Sequence, residues 1–216
     1  MLPTFHWTTF DVNGMLPPGW DKDVMAVARD ADFHDFPRTP ILSREDDGIR
    51  HIARGRVHAD QVRQRLPWLR ESYRADFLDL AQQVNDELIS AAHDERYGIV
   101  LNVQYGAEMR FECHVDSNPL TGLLFCSDHP AGTGGELVFA NDAAATSVTD
   151  VERSCSVLRP QAGHLIFFDG RRHPHYVRPL VSAADIRIVA VMNYYTASFP
   201  ESTRPPALNR HLYGDR

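Results

Sequence analysis

The chain of 216 residues lacks any long hydrophobic run. Spanning a bilayer takes about 20 consecutive apolar residues, and no segment of this sequence approaches that length. The first residues, MLPTFHWTTFDVNG, also lack a basic stretch followed by an apolar one, so they do not resemble a secretory signal. These absences predict a cytoplasmic protein that has no membrane partner.

Cysteine is scarce as well. Cys113, Cys126 and Cys155 lie too far apart in sequence to form a close-spaced metal motif, and three cysteines cannot all pair. We therefore expect reduced thiols, as in a cytoplasmic protein, buried as small hydrophobic side chains.

The chain has fewer basic than acidic residues. The sequence has 22 Lys and Arg against 29 Asp and Glu, a formal net charge of −7 at pH 7. A general nucleic-acid binder, or a protein of anionic membranes, normally shows a basic face. We therefore expect no nucleic-acid partner, while the sequence leaves the oligomeric state open. The length fits one domain, and 43% hydrophobic residues suffice for a sizeable core.

The pattern of apolar residues changes at about Gly98. Before it, apolar residues recur at steps of three and four, which predicts one amphipathic helix between Pro67 and Gly98. This stripe consists of Leu69, Tyr73, Phe77, Leu80, Val84, Leu88 and Ala92. Further upstream, residues 24–36 suggest another helix, and residues 47–54 suggest a turn followed by a short strand.

After Gly98, short apolar segments alternate with clusters of Gly, Pro, Asn and Asp. The eight candidate strands are YGIVLNVQY, MRFECHVD, TGLLFCSD, GELVFAN, SCSVLRP, GHLIFFD, PHYVRPL and IRIVAVMNYY. Eight such strands fit a two-sheet jelly roll. We therefore predict a mainly β protein with N-terminal helices. In it, residues 1–97 pack on a core of residues 98–197, and residues 198–216 form an irregular arm.

One short motif indicates the chemistry. His114-Val115-Asp116 has the spacing H-x-D, which on a β-strand points the histidine and the carboxylate to the same side. A second histidine pair, His173 and His175, follows later in the chain. One carboxylate and two imidazoles can occupy one face of an octahedral Fe(II) and leave three positions open. The H-x-D motif occurs by chance in many sequences, so its significance here depends on the sequence around it.

That surrounding sequence resembles the Fe(II)/2-oxoglutarate-dependent dioxygenases, in particular the prolyl-4-hydroxylase-like branch. The similar motifs occur in one order between about Tyr97 and Tyr195. They are Tyr105-Gly106 before H-x-D, then GTGGELVF, RPQAGHLIFFDG, HYVRPL and the closing strand RIVAVMNYY. The resemblance implies a double-stranded β-helix of the jelly-roll, cupin-like kind. It also implies Fe(II), the cosubstrate 2-oxoglutarate and O2 as requirements, with succinate and CO2 as coproducts.

On this resemblance, His114, Asp116 and His175 hold the metal. His175 begins an apolar strand and fits the family's H-x-V-x-P pattern, whereas His173 precedes a proline in a basic turn, so we favour His175 as the second imidazole. The remaining histidines, His129 and His164 among them, are expected at the surface or in capping positions.

The resemblance also implies a cosubstrate site. Arg187 would bind the distal carboxylate of 2-oxoglutarate through two parallel hydrogen bonds, which lysine makes less well. It lies further from His175 than is usual in the family, which predicts a longer turn, but Arg178 lies too close to His175 to replace it. Tyr105 could donate a hydrogen bond to the same cosubstrate. On the residues alone, a packed strand aromatic is an equal alternative for Tyr105.

The prediction of the substrate depends on how side chains alternate between the two faces of each strand. If H-x-D faces the metal, Arg110 and Glu112 face it too, and Asn193 shares the side of Arg187. Charged and amide groups facing inward favour a small polar substrate, such as a free amino acid or its derivative. A bulge or a rim position would instead turn Arg110 and Glu112 towards water.

We therefore expect an enzyme that hydroxylates an unactivated C–H bond of a small polar metabolite. The halogenating relatives of this family replace the carboxylate with Gly or Ala so that halide can bind, and Asp116 therefore favours oxygenation. Three alternatives stay open. They are oxidative cyclisation or desaturation at the same iron, hydroxylation of a peptidyl residue, and a non-catalytic cupin-like metal-binding protein.

Overall fold

The structure is a computed structural model that describes residues 4–37, 41–46, 49, 51–206 and 208. Its helices are α1 Trp20–Ala28, α2 Ala59–Arg65, α3 Pro67–Arg74, α4 Asp76–Gln83, α5 Glu95–Gly98 and α6 Val148–Arg153. Its strands are β1 Thr8–Asp11, β2 Asp32–Pro37, β3 His51–Val57, β4 Ile89–Ala91, β5 Ile99–Tyr105, β6 Phe111–His114, β7 Leu120–Phe125, β8 Leu137–Ala140, β9 Cys155–Leu158, β10 His164–Phe168, β11 His175–Val177 and β12 Ile186–Thr196.

Two antiparallel sheets enclose the inner core. The larger has the strand order β1-β10-β7-β12-β5-β3-β2, with β4 paired to β12, and the smaller has the order β6-β11-β8-β9. Phe125 and Val189 of the larger sheet share a buried cluster with Phe139 and Val177 of the smaller one. This is a double-stranded β-helix, so the predicted fold class is confirmed. All eight strands predicted after Gly98 are present.

The longest strand, β12, separates the two sides of the larger sheet. Val189 belongs to the inner cluster, while the residues on either side of it, Ile188 and Ala190, belong to a second cluster that includes side chains of α1 to α4. Because successive strand residues point to opposite faces, the odd-numbered residues of β12 face the space between the sheets. The ladder with β5 pairs Arg187 with Gln104 and Val189 with Asn102, so these partners face the same space.

The single helix predicted between Pro67 and Gly98 is wrong. The segment forms α3 and α4, interrupted at Ala75 (φ −124°, ψ −98°), followed by the short strand β4 and by α5. The first half of the predicted stripe is buried, but Leu88 is 78% exposed. The physical reason is that residues 89–91 pair with the end of β12, and this pairing between distant segments overrides the local helical pattern.

The N-terminal region supplies strands to both ends of the larger sheet. The helix predicted over residues 24–36 ends with α1 at Ala28, and β2 begins at Asp32, so that prediction was half wrong. Of the turn and strand predicted at 47–54, residues 47, 48 and 50 lie outside the described residues, and the strand is β3. In the arm, residues 201–203 form a 3-10 turn, while residue 207 and residues 209–216 lie outside the described residues.

Within the described part of the chain, no helix combines the length and the apolar character needed to cross a membrane. All three cysteines are free, with Cys113 and Cys126 buried and Cys155 half-buried. Burial raises the pKa of the Cys113 and Cys126 thiols to about 12, which keeps both protonated at neutral pH.

Candidate metal and cosubstrate site

His114 and His175 lie opposite each other in the smaller sheet. They are ladder partners on β6 and β11, and their ring centroids are 4.5 Å apart. Asp116, two residues beyond β6, has its Oδ1 atom 3.4 Å from Nε2 of His114 and 3.6 Å from Nε2 of His175. One potential ligand atom of each residue therefore lies within 4.8 Å of the others. The structure thus brings the three predicted metal ligands together.

Backbone carbonyls orient both imidazoles. Nδ1 of His114 is 2.7 Å from the carbonyl oxygen of Glu112, and Nδ1 of His175 is 3.1 Å from that of His173. Because a carbonyl only accepts, each Nδ1 carries a proton, and each Nε2 points to the side of Asp116, where it can offer a lone pair to a metal once it has lost its own proton. Two neutral imidazoles and one carboxylate are a donor set that fits Fe(II).

The second oxygen of Asp116 is held by neighbouring polar groups. Thr121 Oγ1 donates to Asp116 Oδ2 at 2.7 Å, and Asn118 Nδ2 donates to Thr121 Oγ1 at 2.9 Å. Burial by itself raises the pKa of Asp116, but the His175 and His114 imidazoles lower it by more, so the net shift is downwards. The carboxylate is therefore ionised and oriented before any cation binds.

We expect Thr121→Val to weaken metal binding, because it removes the hydrogen bond that orients Asp116 while keeping the side-chain volume. Loss of such a supporting partner typically costs about 10–100-fold in metal affinity. Anaerobic Fe(II) titration measures it. Thr133→Val is the matched control, since Thr133 donates to Pro130 in an exposed turn. Equal affinities for the two variants would contradict this role of Thr121.

Gly170 packs directly against the ligands. A Cβ atom at this position would lie 2.7 Å from Cε1 of His175 and 2.9 Å from Cγ of Asp116. We expect Gly170→Ala to abolish stoichiometric metal binding, because the methyl group displaces two ligands at once. Gly14→Ala is the control, since a Cβ at Gly14 meets nothing within 4 Å. Metal analysis of the two purified variants checks the prediction, and a fully loaded Gly170→Ala protein would refute it.

His173 lies apart from this cluster. Its Nδ1 is 2.8 Å from the carbonyl oxygen of Ala140, and its ring packs edge-on against Phe5 with the centroids 5.1 Å apart. His173 lies before β11, which begins at His175, and it is not among the residues whose ligand atoms cluster.

Arg187 is buried in the larger sheet, with 1% of its surface exposed. Its Nε donates to the carbonyl oxygen of Gly135 at 2.9 Å, and its Nη1 donates to Gln104 Oε1 at 3.1 Å. Its Nη2 is also buried and has no hydrogen-bond partner among the described residues. Burial lowers the pKa of the guanidinium to about 9. An unpartnered donor on a buried cation fits the carboxylate of a 2-oxo diacid. Arg178, by contrast, is paired with Glu152 at 2.6 Å.

Tyr105 points away from Arg187. It is the ladder partner of Ile186, its ring centroid is 5.2 Å from that of Phe33, and it packs against the cluster on the helix side of the sheet. The preceding residue, Gln104, faces Arg187 instead. Because neighbouring strand residues point to opposite faces, only one of Gln104 and Tyr105 can face Arg187. Which one does so depends on the register of β5 against β12, and the sequence does not show that register.

His129 is a second neighbour of Arg187 that the sequence did not reveal. It is buried rather than at the surface, and its Nε2 is 3.2 Å from Ser127 Oγ. Burial and the charge of Arg187 both lower its pKa. No motif marks His129, because its turn position by itself is typical of an exposed histidine.

The three predicted substrate residues fall in two places. Glu112 and Asn193 line a cavity of about 110 Å³ together with His114 and Asp116. Arg110 does not line it, but forms a two-point ion pair with Glu45 at 2.7 and 2.6 Å. The cause is a β-bulge. His114 pairs with His175 and Phe111 pairs with Val177, so three residue steps on β6 are matched by two steps on β11. Simple alternation therefore fails at this strand.

Parts of the chain are similar to known proteins in sequence and in fold. The family model of the 2OG-Fe(II) oxygenase superfamily matches residues 100–195. Comparison with curated protein sequences finds no match. The match is to the superfamily as a whole and does not single out the prolyl-4-hydroxylase-like branch.

Three solved structures have a similar fold at low sequence identity. AviO1 from Streptomyces viridochromogenes Tue57 is 16% identical with a TM-score of 0.64, over 94% of this chain and 94% of that one. The epimerase SnoN, solved with Fe3+, alpha ketoglutarate and nogalamycin RO, is 15% identical with a TM-score of 0.63, over 97% and 86%. HygX from Streptomyces hygroscopicus, solved with nickel, 2-oxoglutarate and hygromycin B, is 11% identical with a TM-score of 0.61, over 92% and 86%.

Residues 100–195 thus resemble the 2OG-Fe(II) oxygenase superfamily, whose members require Fe(II), 2-oxoglutarate and O2, and His114, Asp116 and His175 are the residues of this chain that could hold the metal.

Proposed function

We propose that this enzyme hydroxylates an unactivated C–H bond of a small polar metabolite, namely a free amino acid or a derivative of one. His114, Asp116 and His175 hold Fe(II), Arg187 binds the distal carboxylate of 2-oxoglutarate, and succinate and CO2 are the coproducts. The observation that carries the proposal is the cluster of two imidazole Nε2 atoms around one ionised carboxylate oxygen. When bound, the iron and 2-oxoglutarate supply the activation of O2 and the oxidising equivalents.

The residues of the chain position and shield these reactants. Gln104 and the Gly135 carbonyl hold the Arg187 guanidinium in one orientation, so that its remaining donor is directed without further ordering. The inner cluster, which includes Phe125 and Val189, is almost fully buried and excludes water from the space between the sheets. We also place the enzyme in the prolyl-4-hydroxylase-like branch, and the H-x-V-x-P motif that begins at His175 supports this.

The size of the cavity supports a metabolite rather than a peptidyl residue. Its volume is about 110 Å³, and its wall includes Leu42 from the N-terminal region and Arg204 and Leu208 from the C-terminal arm. Segments from both ends of the chain therefore contribute to the wall around the metal ligands. A peptide substrate would need an open groove at this place.

A second candidate is oxidative rearrangement without oxygen insertion. Solved structures of similar fold include the epimerase SnoN and the carbocyclase SnoK of nogalamycin biosynthesis, the latter 14% identical with a TM-score of 0.61. A set of two histidines and one carboxylate does not by itself distinguish these outcomes from hydroxylation. The difference lies in how the substrate is held, which makes product analysis necessary.

The test is turnover under labelled dioxygen, with chloride present, across amino acids and their derivatives. We expect a product that gains one labelled oxygen atom, together with succinate. A chlorinated product would refute the role of Asp116, whose carboxylate fills the position that a halide would need. A product that has lost two hydrogens, or an epimer without label, would favour the second candidate. Turnover of peptides alone would overturn the small substrate.

A further inference from the structure

A buried asparagine on β5 lies in the cavity wall that includes the metal ligands. Asn102 is 5% exposed and lines the cavity of about 110 Å³ together with His114 and Asp116. Its ladder partner on β12 is Val189, a member of the inner cluster, so the side chain of Asn102 faces the space between the sheets. The polar group of Asn102 is therefore enclosed by protein at the place where the substrate is proposed to bind.

The Oδ1 atom of Asn102 is buried and has no hydrogen-bond partner among the described residues. The two other asparagines of the described cavity wall are engaged by the protein. Asn118 Nδ2 donates to the carbonyl oxygen of Leu120 at 2.7 Å, and Asn193 Nδ2 donates to the carbonyl oxygen of Tyr97 at 2.7 Å. A buried amide oxygen without a partner is destabilising, so its presence in a ligand cavity indicates an acceptor that a ligand satisfies.

The neighbours of Asn102 on the same face of β5 place it between the cavity and the proposed cosubstrate anchor. Val100 lines the cavity, and Gln104 accepts a hydrogen bond from Arg187 Nη1 at 3.1 Å. Consecutive strand residues are about 3.4 Å apart, so Asn102 lies about 7 Å along β5 from Val100 and from Gln104. Both the substrate and 2-oxoglutarate would bind close to Asn102, and the chemistry of its oxygen atom decides between them.

An unpartnered acceptor selects a ligand that carries a hydrogen-bond donor. 2-Oxoglutarate at neutral pH has ionised carboxylates and a ketone, all of which only accept hydrogen bonds. An amino acid carries N–H donors on its ammonium group, and its derivatives can carry donors on hydroxyl or amide groups. The substrate, and not the cosubstrate, can therefore satisfy Oδ1 of Asn102.

We propose that Asn102 is a specificity-determining residue whose Oδ1 accepts a hydrogen bond from an N–H or O–H group of the substrate. The inference rests on the proposed function, and it adds that the substrate directs a donor, such as the ammonium group of an amino acid, towards β5. Methylation of that ammonium group removes the donor and leaves the buried oxygen without a partner. Trimethylated betaines of the same amino acids are therefore poor ligands.

The test uses the protein loaded with Ni(II) and 2-oxoglutarate, so that binding is measured without turnover. The probes are the proteinogenic amino acids, each paired with its N,N,N-trimethyl betaine, which keeps the positive charge and lacks the N–H donors. In calorimetric titration we expect amino acids to bind at least about tenfold more tightly than their betaines, because a site built to hydrogen-bond an N–H group rejects an analogue that lacks it.

Substitution of Asn102 separates the loss of the hydrogen bond from the larger size of the betaines. Asn102→Leu should weaken amino-acid binding at least about tenfold, as expected when a buried donor of the ligand loses its acceptor. The preference for an amino acid over its betaine should shrink in this variant. Asn102→Asp keeps an acceptor oxygen and should retain amino-acid binding. Affinity for 2-oxoglutarate should be unchanged in Asn102→Leu.

Thermal stability distinguishes this role from a structural one. The melting temperature of Asn102→Leu without ligand should be at or above that of the wild type, because the buried Oδ1 accepts no hydrogen bond from the protein. Asn141→Leu is the matched control outside the cavity. Asn141 Oδ1 accepts from the Phe5 backbone N–H at 3.2 Å and from Ser156 Oγ at 2.6 Å. This control should melt at a lower temperature and keep the wild-type affinity for amino acids.

Three results would overturn the inference. The first is an Asn102→Leu variant that keeps the wild-type affinity for amino acids, and the second is a melting temperature of this variant well below that of the wild type. The third is weaker 2-oxoglutarate binding with unaltered amino-acid binding, which would assign the amide to the cosubstrate through Nδ2. If the proposed function itself were wrong, the wild-type protein would lack the absorption of its Fe(II)·2-oxoglutarate complex or would bind no amino acid. Failure of the role of Asn102 leaves both properties of the wild type intact.

Discussion

His175→Ala is expected to abolish the weak visible absorption that Fe(II) and 2-oxoglutarate give together in this class of site, and His173→Ala to leave it unchanged. Wild-type protein purified without oxygen should bind about one Fe(II), as a single facial triad implies. The physical reason lies in the two Nδ1 contacts. The carbonyl of residue 173 turns Nε2 of His175 towards Asp116, whereas the Ala140 carbonyl and the Phe5 ring hold His173 elsewhere.

Anaerobic titration followed by visible spectroscopy makes this comparison within one experiment. The two variants remove the same chemical group two residues apart, so each is the control for the other. Loss of the band in His173→Ala together with its survival in His175→Ala would transfer the ligand to His173. It would also contradict the ring orientations described above.

Arg187→Ala is expected to raise the dissociation constant of 2-oxoglutarate sharply. A desolvated carboxylate that loses its charge-assisted partner typically loses about 2–5 kcal/mol of binding free energy. At about 1.4 kcal/mol per factor of ten, this is a weakening of roughly thirtyfold or more. Fe(II) affinity should change little, because Arg187 contacts Gln104 and Gly135 and none of the three proposed ligands.

Titration of 2-oxoglutarate into the Fe(II)-loaded variant measures this effect. Arg187→Lys should recover part of the affinity, since a lysine keeps the charge but not the two-point geometry. Arg178→Ala is the matched control, because that side chain is paired with Glu152. An unaltered 2-oxoglutarate affinity in Arg187→Ala would remove Arg187 from the site.

The proximity of His114 and Asp116 is a local property of the chain. Residues two apart on a strand point to the same side, so H-x-D places both groups together in any fold that makes this segment extended. The eight strands after Gly98 were predictable for a similar reason, because turn residues and alternating apolar positions are patterns that extend over only a few residues. The choice of His175 over His173 rested on the motif that follows it and agrees with the packing around Phe5.

Other parts of the site depend on contacts between distant segments. The register of β5 against β12 decides that Gln104, and not Tyr105, faces Arg187. A bulge between β6 and β11 breaks the alternation that had placed Arg110 inward. Pairing with β12 turns residues 89–91 into a strand where the apolar stripe predicted helix.

The sequence by itself therefore determined the fold class and the order of the candidate ligands along the chain, and it predicted a metal and a 2-oxo acid. Only the tertiary structure decided which neighbours face Arg187, that His129 is buried beside it, and that β5 places Asn102 in the cavity wall. The physical reason is that strand period and turn preference are local. Register, bulges and sheet order are instead set by backbone pairing and side-chain packing between residues far apart in the chain.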